Sequence, residues 1–346
     1  MCGTYETIKV QSITDSVIAR MKALAYRGFD AGCIAVIRQQ ALERERSIIS
    51  RPSLSSRLRY IFRAIYAAFL IILLTFTFGT RFSLAGETLT FGTYSFEKAS
   101  TTVRKIRPIL DALATEMEKR SGKKVQIRLQ IAKDYLTGIK DLTEGRVDFA
   151  RFGQAAYVIA KLSEGDLSIL AVEGDHAKKT FRSLIVVRND SQIEQVKDLV
   201  ESSFAFGNKF STTGRYLPQA FLFKHGIRAN SLSHRRYLKR HDQVATAVAN
   251  GKFDAGAISE WVYQDLINNG VKIRPIASFS SVTKPWVARQ GFPVSMQNLI
   301  RESLIGLRGV KVLENIKKDC FLPGQDKDYD DVRRSIADNW QFFIEG

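Results

Sequence analysis

The chain has 346 residues, of which 45% are hydrophobic and 25% charged, with no low-complexity tract. That is enough apolar material for two domains of ordinary size, and it excludes a disordered or fibrous chain. The formal net charge is +17, but the basic residues are scattered and no nucleic-acid-binding motif accompanies them, so the surplus suits capture of small anions.

Of that charge, +7 lies before Gly86 and +10 in the remainder. Cys2, Cys33 and Cys320 lack metal-ligand or redox spacing, and since only Cys320 lies in the large C-terminal part, no disulfide is expected there. The chain opens Met1-Cys2-Gly3 and continues through Ala25-Tyr26-Arg27-Gly28-Phe29-Asp30 to Ile34-Ala35-Val36-Ile37. Over these 37 or so residues it resembles the start of the N-terminal-nucleophile glutaminase domain of glucosamine-6-phosphate synthase. The resemblance implies Cys2 as nucleophile with its own α-amine as base, and Arg27-Gly28 on the substrate side. After Gly3 the family's apolar strand is replaced by TYETIKVQ, its Ser-Ala-Gly reads Ala31-Gly32-Cys33, and the remaining hundred-odd residues are missing. Residues 1–50 therefore read as a vestigial leader, and a glutamine amidotransferase acting through Cys2 is the enzyme alternative. Glutamine hydrolysis lost on Cys2→Ala would support it; the expectation is no enzyme activity.

Residues 51–85 read as a signal peptide or a membrane anchor. Arg57, Arg59 and Arg63 precede a charge-free run from Ala64 to Gly79, and Ser83-Leu84-Ala85 supplies small residues at −3 and −1. The run is shorter than the roughly 20 residues of a spanning helix. Cleavage after Ala85 would release a soluble periplasmic protein, with no cysteine there for lipid attachment. Left uncleaved, the same run would tether an oxyanion sensor to the inner membrane, and Arg81 leans that way.

From Gly86 onward strand and helix patterns alternate. Strands are expected at 88–94, 125–131, 147–150, 167–172, 184–187, 204–206, 253–257, 273–277 and 286–288. Helices are expected at 102–120, 135–142, 155–162, 242–250, 260–268, 296–307 and 329–343. The order predicts an α/β protein with mostly parallel sheets. The runs Glu144-Gly145-Arg146-Val147-Asp148-Phe149-Ala150 and Asn250-Gly251-Lys252-Phe253-Asp254-Ala255-Gly256 each put a glycine turn between a helix and a short strand. Such strands deliver loops to the carboxyl edge of a sheet, where ligands bind in open α/β folds.

One segment carries most of the functional signal. Phe204-Ala205-Phe206 reads as a strand, ends at Gly207-Asn208, and is followed by Ser211-Thr212-Thr213 at the front of a helical stretch. Hydroxyls there either cap the helix or help its free N–H groups hold an anion. A site of this kind suits a phosphate-like oxyanion and needs neither metal nor cofactor.

With these motifs in order, residues 88–337 resemble the periplasmic binding proteins of phosphonate, phosphite and phosphate ABC importers. The resemblance runs through Asp134-Tyr135, Gly145 to Ala150, Phe152-Gly153, Phe206-Gly207-Asn208, Ser211-Thr212-Thr213-Gly214, Leu217-Pro218, His241, Ala247 to Gly251, Asp254, Phe321-Leu322-Pro323 and Asp328-Tyr329-Asp330. It implies a two-lobed α/β clamp of type II with two hinge crossovers. Lobe one would be 86–181 plus 281–346, and lobe two 182–280. It also implies a small oxyanion ligand, an ABC permease in the inner membrane as partner, no nucleic acid, and a monomer.

Carried over residue by residue, Ser211, Thr212 and Thr213 would grip the oxyanion, with Tyr94, Tyr135 and His241 on the ligand. Three positions depart from the pattern. A second family tyrosine is Phe152 here, which leaves an apolar wall. Glu260 matches a carboxylate that pairs with the ammonium of aminoalkylphosphonates, but its helper aspartate is Lys284. A lysine repels an ammonium by several kcal/mol at close, desolvated range, so the expected ligand carries no ammonium. The loop Asn208-Lys209-Phe210 is also shorter than the family's Asp-Pro-bearing loop.

Overall fold

The computed structural model describes residues 86–94 and 98–344. The glutaminase-like opening, with Cys2 and Cys33, and the apolar run 64–79 lie outside the described residues. Among the described residues no helix is long and apolar enough to cross a membrane.

The first sheet starts with β1 (Glu87–Tyr94), parallel to β2 (Val125–Ala132) from Glu87↔Val125 to Tyr94↔Ala132. Between them runs α1 (Ala99–Ser121), whose Ile106, Ile109, Leu110, Leu113 and Met117 recur at helix spacing and are all buried. Burying each such side chain stabilises by about 1.5–3 kcal/mol. The helix stops at Gly122, which takes φ +70° and returns its N–H to Glu118 O, a left-handed cap that glycine adopts without a Cβ clash. α2 (Tyr135–Thr143) begins where Asp134 Oδ1 accepts the Thr137 N–H at 2.7 Å. β3 (Phe149–Arg151), α3 (Gln154–Glu164) and β4 (Ser168–Gly174) complete this part.

The chain then leaves for a second sheet through β5 (Thr180–Arg188) and comes back through β9 (Ile273–Val282). These two pair antiparallel from Thr180↔Val282 to Arg188↔Ile273. Between them come β6 (Ser203–Phe206), α4 (Leu217–Lys224), β7 (His234–Tyr237), α5 (His241–Ala249), β8 (Ala255–Ser259) and α6 (Glu260–Asn268). After the return, β10 (Pro285–Ala288) inserts between β3 and β4. α7 (Val294–Gly306), β11 (Cys320–Leu322) and α8 (Asp330–Ala337) follow. The sheet orders are β11-β4-β10-β3-β1-β2 and β7-β6-β8-β5-β9.

The sheets are mixed rather than mostly parallel. β1–β2, β1–β3, β6–β7 and β6–β8 pair parallel. Every pairing made by β5, β9, β10 or β11 is antiparallel. The excursion between lobes is the cause: β5 and β9 carry the chain out and back in opposite directions. The apolar run Leu184–Val187 is thus the middle of a nine-residue crossover strand.

The expected helix over 329–343 also breaks. α8 ends at Ala337 and a 3₁₀ turn runs Asn339–Phe343. The break turns Phe342 into the hydrophobic cluster under the second sheet, with Phe204, Phe206 and Leu222. Meanwhile Val332 and Ile336 of α8 pack with Tyr157 of α3 on the first. The C-terminal segment assigned from sequence to lobe one therefore touches both sheets.

Candidate functional site

β6 delivers the chain to Gly207, where backbones meet closely. A Cβ on Gly207 would lie 2.9 Å from Gly214 Cα, and the Gly207 N–H donates to Gly214 O at 2.7 Å. Gly207→Ala is therefore expected to destabilise by about 1–3 kcal/mol through overpacking. An unchanged melting temperature would contradict this close approach.

The loop closed by that contact presents the three hydroxyls. Ser211 is the N-cap, its Oγ accepting the Gly214 N–H at 3.0 Å. Thr212–Tyr216 form a π-helical turn that runs into α4, a distortion that recurs at functional sites. Ser211, Thr212 and Thr213 are all buried, because the first lobe covers them. The N-terminus of α3 comes from the opposite side, and its Ala155 N–H donates to Thr212 Oγ1 at 2.8 Å. Next to it, the Gly153 N–H donates to the Tyr94 hydroxyl at 2.6 Å. Two helix starts from different lobes thus converge, each with a positive dipole end.

Aromatic rings wall this junction. Tyr94 and Tyr135 lie with centroids 4.1 Å apart, and Tyr94 and Phe152 6.0 Å apart. Phe210, 6.4 Å from Tyr135, adds a wall from the short 208–210 loop. The Tyr135 hydroxyl is flanked by those of Ser211 and Tyr94. Burial raises both phenols above their usual range, so both remain protonated donors. Phe152 is fully buried and backs Tyr94.

His241, the first residue of α5, places Nε2 3.2 Å from Thr213 Oγ1. Burial pushes its imidazole down from 6.5 to about 4, against a backbone hydrogen bond at Ala257 and with help from the Lys284 charge. The ring is neutral at pH 7. Between pH 6.5 and 4 the unfolded chain binds the proton and the folded chain does not. The stability that the neutral His241 ring contributes is therefore fully present above pH 6.5, falls as the pH drops toward 4, and changes no further below. His241→Gln is expected to flatten that decline in denaturant titrations at pH 7 and pH 4.5. An equally steep decline in the variant would assign it to other groups.

The remaining two sequence candidates divide. Lys284, in the link from β9 to β10, exerts its charge on both His241 and Glu173. Glu260 opens α6 and pairs with Arg182 of β5. Sequence reasoning did not anticipate the α3 N-terminus as a second cradle wall, although Gly153-Gln154 ahead of a helical run is a start signal. Nor did it anticipate Phe210, or Arg215, a buried cation in the same turn. Away from the cradle, Asp175, His176 and Asp319 bring ligand atoms within 4.8 Å of one another on an open surface. Lys318 Nζ stands 4.0 Å from Asp175 and competes for that carboxylate.

The family model described as the ABC transporter phosphonate periplasmic substrate-binding protein matches residues 91–329. The chain belongs to this family. It is similar to the "Probable ABC transporter phosphite binding protein PhnD1" of Prochlorococcus marinus (strain MIT 9301), at 24% identity over 74% of this chain and 96% of that one. It is 28% identical to the phosphate-import protein PhnD of Mycolicibacterium smegmatis over 53% of this chain and 59% of that one. Among solved structures, XAC2383 from Xanthomonas citri, bound to chloride, aligns with a TM-score of 0.62 at 20% identity, covering 73% and 97% of the two chains. PhnD1 in complex with methylphosphonate aligns with a TM-score of 0.61 at 19% identity, covering 72% and 97%. The fold is the two-lobed type II periplasmic binding protein clamp. The family consists of periplasmic substrate-binding proteins of ABC transporters.

Proposed function

We propose that the protein is the periplasmic solute-binding component of an ABC importer for a small tetrahedral oxyanion: phosphate, phosphite or a simple phosphonate. The observation that carries this reading is the junction of two helix N-termini from opposite lobes at Thr212 and Ala155, walled by neutral donors. An oxyanion there would accept from Ser211, Thr212, Thr213 and Tyr135, and from backbone N–H groups, with no protein proton transferred. Relatives whose names give phosphite binding and phosphate import support the ligand class. The partner that receives the ligand is the permease of the same importer. The pattern of Arg57 to Ala85 supports export with cleavage after Ala85, which N-terminal sequencing of the mature protein tests.

The decisive measurement is a thermal-shift panel of phosphate, phosphite, sulfate, methylphosphonate and 2-aminoethylphosphonate, followed by calorimetry. A ligand at a hundred times its Kd stabilises the closed form by about 2.7 kcal/mol, which is readable as a concentration-dependent rise in melting temperature. No shift with any of the five anions would overturn the reading.

The same panel tests ligand choice. Glu260 is occupied by Arg182 and Lys284 adds positive charge beside His241, so an ammonium-bearing ligand meets no open carboxylate there. Methylphosphonate is therefore expected to bind more tightly than 2-aminoethylphosphonate. The reverse order would show that this carboxylate opens to receive the ammonium.

A further inference from the structure

Arg215 lies inside the same π-helical turn as Thr212 and Thr213 and is only 7% exposed. A guanidinium cannot shed its charge, so burying it requires its fixed fork of donors to be met by acceptors. Three separate segments meet it. Nη1 donates to Lys209 O at 3.0 Å, across the loop that closes the cradle. Nε reaches Gln219 Oε1 of α4 at 3.4 Å. Nη2 donates to Asn339 Oδ1 at 2.7 Å, from a residue 124 positions away. Asn339 Nδ2 donates in turn to Gln219 Oε1 at 2.8 Å, and Gln219 Nε2 to the Tyr237 hydroxyl at 2.9 Å. The guanidinium also lies over the Tyr216 ring at 4.8 Å.

Asn339 is held on both sides. Ahead of it, α8 packs through Val332 and Ile336 against α3, the helix whose N-terminus faces Thr212. Behind it, Phe342 meets Phe206 edge-on at 5.9 Å in the core of the second lobe. The C-terminal segment is thus a third link between the lobes, besides the β4–β5 and β9–β10 passages, and it ends on the back of the cradle.

We propose that Arg215 is a positioning residue for anion capture and that segment 338–344 is a working part of the cradle, holding the Thr212–Thr213 turn through Asn339. The proposal rests on the oxyanion reading for its ligand, but the positioning itself is measurable without one. In full-length Asn339→Ala, amide exchange in the absence of ligand is expected to quicken about tenfold at 208–216 while Leu89 and Phe91 of β1 keep their rates. Calorimetry with phosphite and phosphate is expected to give a Kd raised about tenfold. Arg215→Lys, which keeps a buried cation and loses the fork, is expected to fall between the two proteins and covers the case in which Asn339→Ala folds poorly. Exchange at 208–216 unchanged, or quickened equally in both sheets, would overturn the positioning role, as would an unchanged Kd in a variant of a wild type that binds. A wild type that binds none of the anions while exchange responds locally would remove the function reading and leave the positioning of the turn intact.

Discussion

A protein carrying Thr212→Val and Thr213→Val together is expected to bind phosphite and phosphate about a hundredfold to ten-thousandfold more weakly than wild type. Valine keeps the shape of threonine and removes only the hydroxyl. Each hydrogen bond from a neutral donor to a charged ligand contributes about 1.5–3 kcal/mol, and two of them at a tenfold change per 1.4 kcal/mol give that range. Stability should suffer less. Thr212 Oγ1 also accepts the Ala155 N–H, and orphaning that buried donor costs about 1–3 kcal/mol. Calorimetry well below the melting temperature separates the two effects. An affinity within threefold of wild type would place the anion elsewhere, whatever happened to stability.

How much of this was legible from sequence depends on where each determinant lies along the chain. The hydroxyl triplet could be read because everything it needs is local: a strand, its end at Gly207-Asn208 and an N-cap within a dozen residues. α1 and α6 could be read for the same reason, since helix spacing and caps are short-range signals. What escaped was long-range. The Thr212–Ala155 bond joins residues 57 apart, and nothing near either one announces the other. β7 escaped because His234-Arg235-Arg236 is an exposed basic edge without alternation, held as a strand only by its register on β6. The direction of β10 escaped because a four-residue apolar strand reads the same either way; it is the return through the lobe junction that makes it antiparallel. The break in the last helix escaped because Asn339 and Phe342 fit a helical pattern, and only the distant partners Arg215 and Gln219 for Asn339 and Phe206 for Phe342 draw them out of it. The glycines follow the same division. Gly145 and Gly251 were readable as turns between a helix and a strand, and both take positive φ, whereas the closeness of Gly207 to Gly214 emerges only once the loop is folded.

The largest effect on stability is expected at Glu173, in β4 just before the chain leaves the first sheet. Its side chain is 1% exposed and accepts from both arms of Arg151 on β3, Nη2 at 3.1 Å, and from Trp286 Nε1 of β10 at 3.2 Å. One carboxylate thus joins three strands at the root of both crossovers, and Thr283 on the return path donates its hydroxyl to the Glu173 backbone oxygen. Glu173→Leu leaves the Arg151 guanidinium, 14% exposed, without its counter-charge. Breaking a buried pair from one side costs about 3–5 kcal/mol. At about 2–4 °C per kcal/mol for a domain of this size, calorimetry should record a fall in melting temperature of roughly 6–20 °C. Adding Arg151→Met should restore most of it, since replacing a whole buried pair with apolar groups is close to neutral. A double variant as unstable as the single one would mean that the loss comes from packing and not from the orphaned charge. The pair also has a pH signature. Burial alone would raise the Glu173 carboxyl, but the Arg151 guanidinium, helped by the Lys284 charge and the Trp286 N–H, overrides it and holds the group below 4.5. A carboxyl lowered in the folded state stabilises above its unfolded value, and that contribution is lost as the pH falls through the folded value. Wild type is therefore expected to lose stability below pH 4.5 more steeply than the Glu173→Leu, Arg151→Met protein, and equal acid slopes would show that the pair is not titrating there.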